Sequence, residues 1–145
     1  NTEELAVRPG VLYARAGAAW VGVLPGQYTV YASRGFEYSV ATQMVSVAAG
    51  EVKSLAFAIR RVVPTRGWVA ADTHIHTLTL SQHGDATDDE RALSIAGEGI
   101  ELAVATEHNH HADYSAAQAG TLTSAYFISV RGKALKAAVS KPPFI

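Results

Sequence analysis

The chain of 145 residues is long enough for one ordinary domain or for two small ones. Its 48% hydrophobic and 17% charged residues are typical of a globular protein and exclude a disordered one. A net charge of −1 without blocks of like charge argues against a nucleic-acid partner, and no apolar run is long enough to span a membrane. Zero cysteines exclude disulfides and thiolate metal sites.

Residues 1–63 have the alternating pattern of antiparallel strands separated by turns. Strands are predicted over residues 28–32, 36–47 and 51–62, with turns at Pro25-Gly26 and Ala49-Gly50. In the last of these, Leu55, Phe57 and Ile59 would share one face. Only about four strands can be recognised here, so residues 1–63 predict a partial β-sandwich.

After a short linker over residues 64–67, the pattern changes to alternating strands and helices. Strands are predicted over residues 68–76, 100–108 and 124–130, with a loop over residues 77–86. Thr87 and Glu90 form a capping box that should begin a helix, and Gly97 and Gly99 should end it. Asn109 is expected to cap a short helix that runs through Gln118. This order predicts a parallel α/β layout for residues 64–145.

All six histidines of the chain fall in one stretch, residues 74–111. His74 and His76 are two apart on a predicted strand, so their side chains should leave the same face at its carboxyl end. His108 ends the next predicted strand, which in a parallel sheet lies about 4.8 Å away. Imidazole and carboxylate without thiolate suit a divalent metal, Zn, Mn or Fe. The predicted ligands are His74, His76, His83, Asp85 and His108.

Three further residues of this stretch fit a ligand role less well. His110 and His111 follow the predicted Asn109 cap and would point into a helix start. Glu107 adjoins His108 on a strand and should face the other way, as a packing residue or a support for a ligand. The alternative for all the histidines is an ordinary polar role at strand ends and in loops.

The motif DTHIHT at residues 72–77, followed by HGDATDDERALSIAGEGIELAVATEHN at residues 83–109, resembles the start of a PHP (polymerase and histidinol phosphatase) domain. The similarity covers residues 68–119 and is greatest to the CehA/McbA-type branch, whose members often carry an upstream β-sandwich. The resemblance implies that His74 and His76 bind metal, with Asp85 or His83 as a further ligand. His108 would match the histidine of the family's Thr-Asp-His motif, where this chain has Glu107. The family hydrolyses phosphoester bonds at a centre of several metal ions.

The resemblance also implies that the site is incomplete. A PHP domain is a distorted β/α barrel longer than this chain, which would hold only its first βα units. No histidine follows His111, and Ala134 stands near the position of a metal-binding glutamate of the family. The chain also begins with Asn1 instead of Met. We therefore expect a fragment, or a protomer that self-associates to cover its unfinished sheet edges.

Three readings of function follow from the sequence. The first is a PHP-type metal-dependent hydrolase of a small phosphoester. The second is a non-catalytic β-sandwich or metal-binding module with a vestigial PHP segment. The third, an amidohydrolase-type barrel, also opens with a His-x-His strand but agrees less well with a TEHN motif so soon afterwards. Sandwich-bearing members of the PHP family are often exported, which allows a periplasmic or extracellular location in a bacterium.

Overall fold

The computed structural model describes residues 5–119, and the backbone of residues 126–129. Within this part of the chain, strands and helices are mixed and form three small sheets. The strands are β1 (Leu5–Arg8), β2 (Val11–Ala14), β3 (Gly26–Ala32), β4 (Ala41–Val47), β5 (Ala71–Ile75), β6 (Leu102–Ala105) and β7 (Tyr126–Ser129). The helices are α1 (Leu78–Ser81), α2 (Asp88–Gly97) and α3 (Ser115–Ala119). None of these three has the length and apolarity that a bilayer crossing demands.

The first two sheets are antiparallel hairpins, β1–β2 and β3–β4. In the second, Gly26 pairs with Val47 and Ala32 with Ala41. Alternate residues of β3 are half-buried, and the residues between them are exposed, as the period-2 pattern predicts. The predicted strand over residues 36–47 is shorter than expected, because β4 begins only at Ala41.

The strand predicted over residues 51–62 does not form as a regular strand. Its alternation is real, since Leu55 and Phe57 are half-buried between exposed neighbours. A strand also needs a ladder of backbone hydrogen bonds, and here the carbonyl of Ala56 accepts from the side chain of Gln43 (2.5 Å). The segment keeps one isolated bridge, between Arg61 and Tyr38. Sequence periodicity thus predicted the half-buried side of Leu55 and Phe57 but not of Ile59, which is 37% exposed, and the backbone pairs with Glu37 and Ser39 only near the end of the segment.

The third sheet is parallel, with the order β5–β6–β7, as the strand–helix–strand pattern predicts. Helix α2 connects β5 to β6 and begins with both halves of the predicted capping box. The Thr87 hydroxyl accepts from the Glu90 amide (3.4 Å), and the Glu90 carboxylate accepts from the Thr87 amide (3.0 Å). The helix ends at Gly97, also as predicted. A core cluster lies between this sheet and α2, and its buried members are Ile75, Ile95, Ala103, Ala105 and Tyr114.

Two local predictions in this half were wrong. Asn109 has a left-handed backbone (φ 58°), whereas a helix N-cap needs an extended one, and α3 begins only at Ser115. There the Asp113 carboxylate accepts from the Ser115 amide (2.9 Å). The predicted loop over residues 77–86 contains the single turn α1, whose N-cap Thr77 accepts from the amide of Leu80 (3.2 Å). Both outcomes depend on which nearby polar side chain reaches a free amide.

The β1–β2 hairpin contacts α2 and the loop before it. Arg8 Nε lies 3.0 Å from an Asp85 oxygen, and Arg8 Nη2 lies 3.3 Å from a Glu90 oxygen. At the other end of α2, a Cβ added to Gly97 would lie 2.4 Å from the Tyr13 ring, so only glycine allows this approach. The predicted boundary between residues 63 and 64 stays a prediction, and these contacts cross it.

Candidate metal centre

Three histidines meet at the carboxyl ends of β5 and β6. One ring nitrogen from each of His76, His83 and His108 lies within 4.8 Å of the others. His74 joins from the side, with its Nε2 2.8 Å from His76 Nε2. The structure therefore brings together four of the five predicted ligands. His74 is the fourth residue of β5, His76 follows β5 directly, His108 comes three residues after β6, and His83 lies in the connecting loop.

An irregularity in β5 sets the direction of the His-x-His pair. From Asp72 to Ile75 the strand advances three residues, while its partner advances only two, from Ala103 to Ala105. Such a bulge re-aims the side chains around it. The rings of His74 and His76 have centroids 4.7 Å apart, with buried Ile75 between them in the sequence. The two imidazoles are therefore in edge-to-face contact at the carboxyl end of β5.

Asp85, the fifth predicted ligand, is not in this group. Its side chain is 67% exposed, and its oxygens form ion pairs with Arg8 Nε (3.0 Å) and Arg91 Nη2 (3.6 Å). Two guanidinium groups therefore compete for the carboxylate, and its ligand role stays a prediction. His110 and His111 are exposed and outside the group. The expected absence of a glutamate at Ala134 concerns a position outside the described residues.

Beneath the histidines lies a buried carboxylate. Glu107 is 1% exposed and accepts hydrogen bonds from the Thr77 amide (3.2 Å) and the Thr77 hydroxyl (2.8 Å). It also accepts from the hydroxyls of Ser81 and Tyr114. Burial raises the pKa of Glu107, but these donors outweigh burial and hold the pKa below its usual value. Burial, together with this carboxylate, raises the pKa of the Tyr114 phenol.

Ser81 connects this carboxylate to the histidines. Besides its bond to Glu107, its Oγ accepts from the His108 amide (2.9 Å) and lies 3.4 Å from His76 Nδ1. Neither Ser81 nor Tyr114 was predicted to belong to the site. The sequence contains one signal that could have placed Ser81 in the site. Thr77 can cap a helical turn, and that turn brings Ser81 back toward His76.

No protein-family model matches the chain, and no curated protein and no solved structure matches it either. The donor atoms of the site are therefore the basis for inferring a metal there. Three imidazoles without thiolate fit a divalent metal of the Zn, Mn or Fe type. Burial lowers the pKa of His76, and the neighbouring His108, His74 and His83 lower it further. A neutral imidazole of this kind has a lone pair to donate to a cation.

A cavity of about 360 Å³ opens beside the histidines. Its lining includes His74, His76, His83, Tyr13, Arg91 and Glu98. Among the described residues, the buried Arg91 Nε has no hydrogen-bond partner, while Arg91 Nη2 lies 3.6 Å from an Asp85 oxygen. The cavity can thus present a small molecule to the imidazoles and to a guanidinium at the same time.

Proposed function

We propose that this chain carries the metal-binding part of a PHP-type metal-dependent hydrolase, with His76, His83 and His108 as ligands. The observation that carries the proposal is the convergence of their ring nitrogens within 4.8 Å. His76 and His108 follow the carboxyl ends of the neighbouring parallel strands β5 and β6, and His83 lies in the connection between these strands. His74 is the fourth imidazole of the proposed centre, through its Nε2 contact with His76.

In this proposal, the parallel sheet β5–β6–β7 with α2 is the first βα portion of a PHP-type barrel, and residues 1–63 belong to a partial β-sandwich. The order of elements supports it: antiparallel hairpins come first, and a parallel sheet with a crossover helix follows. A second copy or further chain would supply the remaining ligands and strands. If a second copy supplies them, the protein self-associates, which light scattering measures.

The proposed substrate is a small phosphoester. A bound divalent metal supplies Lewis-acid activation of water for hydrolysis. The chain contributes the cavity beside the imidazoles, and Arg91 brings a positive charge to its wall. A guanidinium suits a phosphate oxygen, and Arg91 lines this cavity. His76, held next to the buried Glu107 network, keeps its orientation toward the same cavity.

Zinc and manganese binding by protein purified without chelator tests the proposal. We expect His83→Ala to weaken zinc affinity by roughly tenfold or more in calorimetry, because it removes one of the three imidazoles whose ring nitrogens converge. His111→Ala is the matched control, since His111 is an exposed histidine outside the group. The zinc affinity of this variant should equal that of the wild type. A wild-type chain that binds neither metal, or equal losses in both variants, would refute the metal site.

A non-catalytic metal-binding module is the second candidate, and the ion pairing of Asp85 favours it. With that carboxylate held by Arg8 and Arg91, the described ligands are imidazoles alone. Both candidates predict that EDTA lowers the Tm of metal-loaded protein, since a bound ligand stabilises the fold. They differ in turnover of a chromogenic phosphodiester or phosphomonoester by the metal-loaded assembly. Metal binding without turnover would favour the module.

A further inference from the structure

The hydroxyl of Ser81 has three polar partners and only one hydrogen. Its Oγ bonds to Glu107, accepts from the His108 amide at 2.9 Å, and lies 3.4 Å from His76 Nδ1. A serine hydroxyl can donate once and accept twice. The placement of that single hydrogen therefore decides what His76 must do.

The Ser81 hydroxyl donates its hydrogen bond to Glu107. The two carboxylate oxygens face one amide and three hydroxyl groups, from Thr77, Ser81 and Tyr114, so they act as acceptors toward all of them. The His108 amide can only donate. With its hydrogen used on Glu107, Ser81 Oγ can meet His76 Nδ1 only as an acceptor.

We propose that Ser81 is a positioning residue that fixes His76 as the Nδ1–H tautomer and so leaves Nε2 as its metal-binding nitrogen. The same reasoning extends one residue further. His74 Nε2 lies 2.8 Å from His76 Nε2, so in the metal-free protein His74 must carry its proton on Nε2 and donate it. Glu107, Ser81, His76 and His74 then form one chain of hydrogen bonds that all run toward the carboxylate.

The significance of this chain for binding rests on the proposed metal site. Metal-binding histidines usually donate their other ring N–H to a fixed acceptor, which sets the tautomer and the ring orientation. Here the acceptor is a hydroxyl polarised by a buried carboxylate. Removing such an outer partner typically weakens metal affinity by roughly 10- to 100-fold. We expect a loss of that size for Ser81→Ala.

Two measurements test the assignment. Long-range ¹H–¹⁵N NMR of the metal-free wild type at a pH where His76 is neutral should show its hydrogen on Nδ1. Zinc calorimetry should then show the expected loss for Ser81→Ala, and near wild-type affinity for Ser81→Thr, which retains the hydroxyl. Ser39→Ala is the matched control, because the Ser39 Oγ also accepts a backbone amide (Arg60, 3.1 Å) but lies outside the site.

Each outcome decides the assignment. A wild-type His76 with its hydrogen on Nε2 overturns it, whether or not Ser81→Ala folds. A hydrogen on Nδ1 with unchanged zinc affinity in folded Ser81→Ala also overturns it. If the wild type binds no zinc at all, the proposed function fails, while the NMR spectrum still decides the tautomer. A hydrogen on Nδ1 together with the selective loss in Ser81→Ala supports the positioning role.

Discussion

Replacing Tyr114 with phenylalanine isolates one buried hydrogen bond beneath the histidines. Tyr114 is 4% exposed and packs in the core with Ile75 and Ile95. Its hydroxyl donates to Glu107, which is 1% exposed. Phenylalanine retains the ring and its packing, so the variant removes only a donor from a carboxylate that water cannot reach.

The expected cost follows from the charge and the burial of the acceptor. A hydrogen bond to a charged group contributes about 1.5–3 kcal/mol, and its loss in a buried place is not replaced by water. Glu107 keeps the two donors of Thr77 and the hydroxyl of Ser81, so we take about 2 kcal/mol. For a chain of this size, that loss lowers Tm by roughly 6–8 °C.

Tyr13→Phe provides the matched control. Tyr13 also donates to a glutamate, Glu98, at 2.8 Å, but that bond is exposed to solvent. Water replaces the lost partner there, so the change should stay within about 0.5 kcal/mol. Urea unfolding and thermal melts of both variants, free of metal, measure the difference. Equal destabilisation by the two substitutions would refute the reasoning from burial.

Three further changes test the contacts between the two halves. Gly35→Ala should destabilise the fold far more than Gly50→Ala. Both glycines have positive φ (66° and 73°), but only at Gly35 would an added Cβ lie 1.8 Å from the Glu98 carbonyl oxygen. Equal melting temperatures of the two variants would contradict the close approach. Burial raises the pKa of Glu90, yet the Thr87 amide and Arg8 outweigh it and leave the pKa lowered. The stability advantage of the wild type over Glu90→Gln should thus be complete at neutral pH, shrink below about pH 4.3, and vanish below the depressed pKa. A difference in urea midpoint that stays constant with pH would exclude a stabilising role of the Glu90 charge. Arg8→Gln should cost about 1 kcal/mol in urea unfolding, and less at high salt, because part of its pairing is exposed; a salt-independent loss would point to packing instead.

The strand–helix–strand part of the fold was predictable because its local signals agree with its packing. The capping box at Thr87 and Glu90 depends only on residues three apart, and the glycine at position 97 ends the helix where periodicity stops. The segment over residues 51–62 shows the opposite case. Its alternating side chains are a local property, whereas a strand requires a neighbour whose backbone is free to pair.

In the candidate site, too, some residues could be predicted from the sequence and others could not. The histidines could be grouped from sequence because parallel strand ends meet at one edge, and that geometry needs no knowledge of side chains. Asp85 could not be placed, since its partner Arg8 comes from a distant hairpin and takes the carboxylate. Ser81 and Tyr114 reach Glu107 through the turn α1 and the loop before α3, and neither contact has a periodic signature.

In the proposed metal site, the contact between Arg8 and Asp85 would couple docking of the β1–β2 hairpin to metal binding. Asp85 lies two residues after His83, so docking of the hairpin restricts the loop that carries this imidazole. Coupling of this kind is reciprocal: whatever factor docking adds to metal affinity, the metal adds to docking. In that proposal, the upstream hairpin would act as an effector of metal binding that belongs to the same chain.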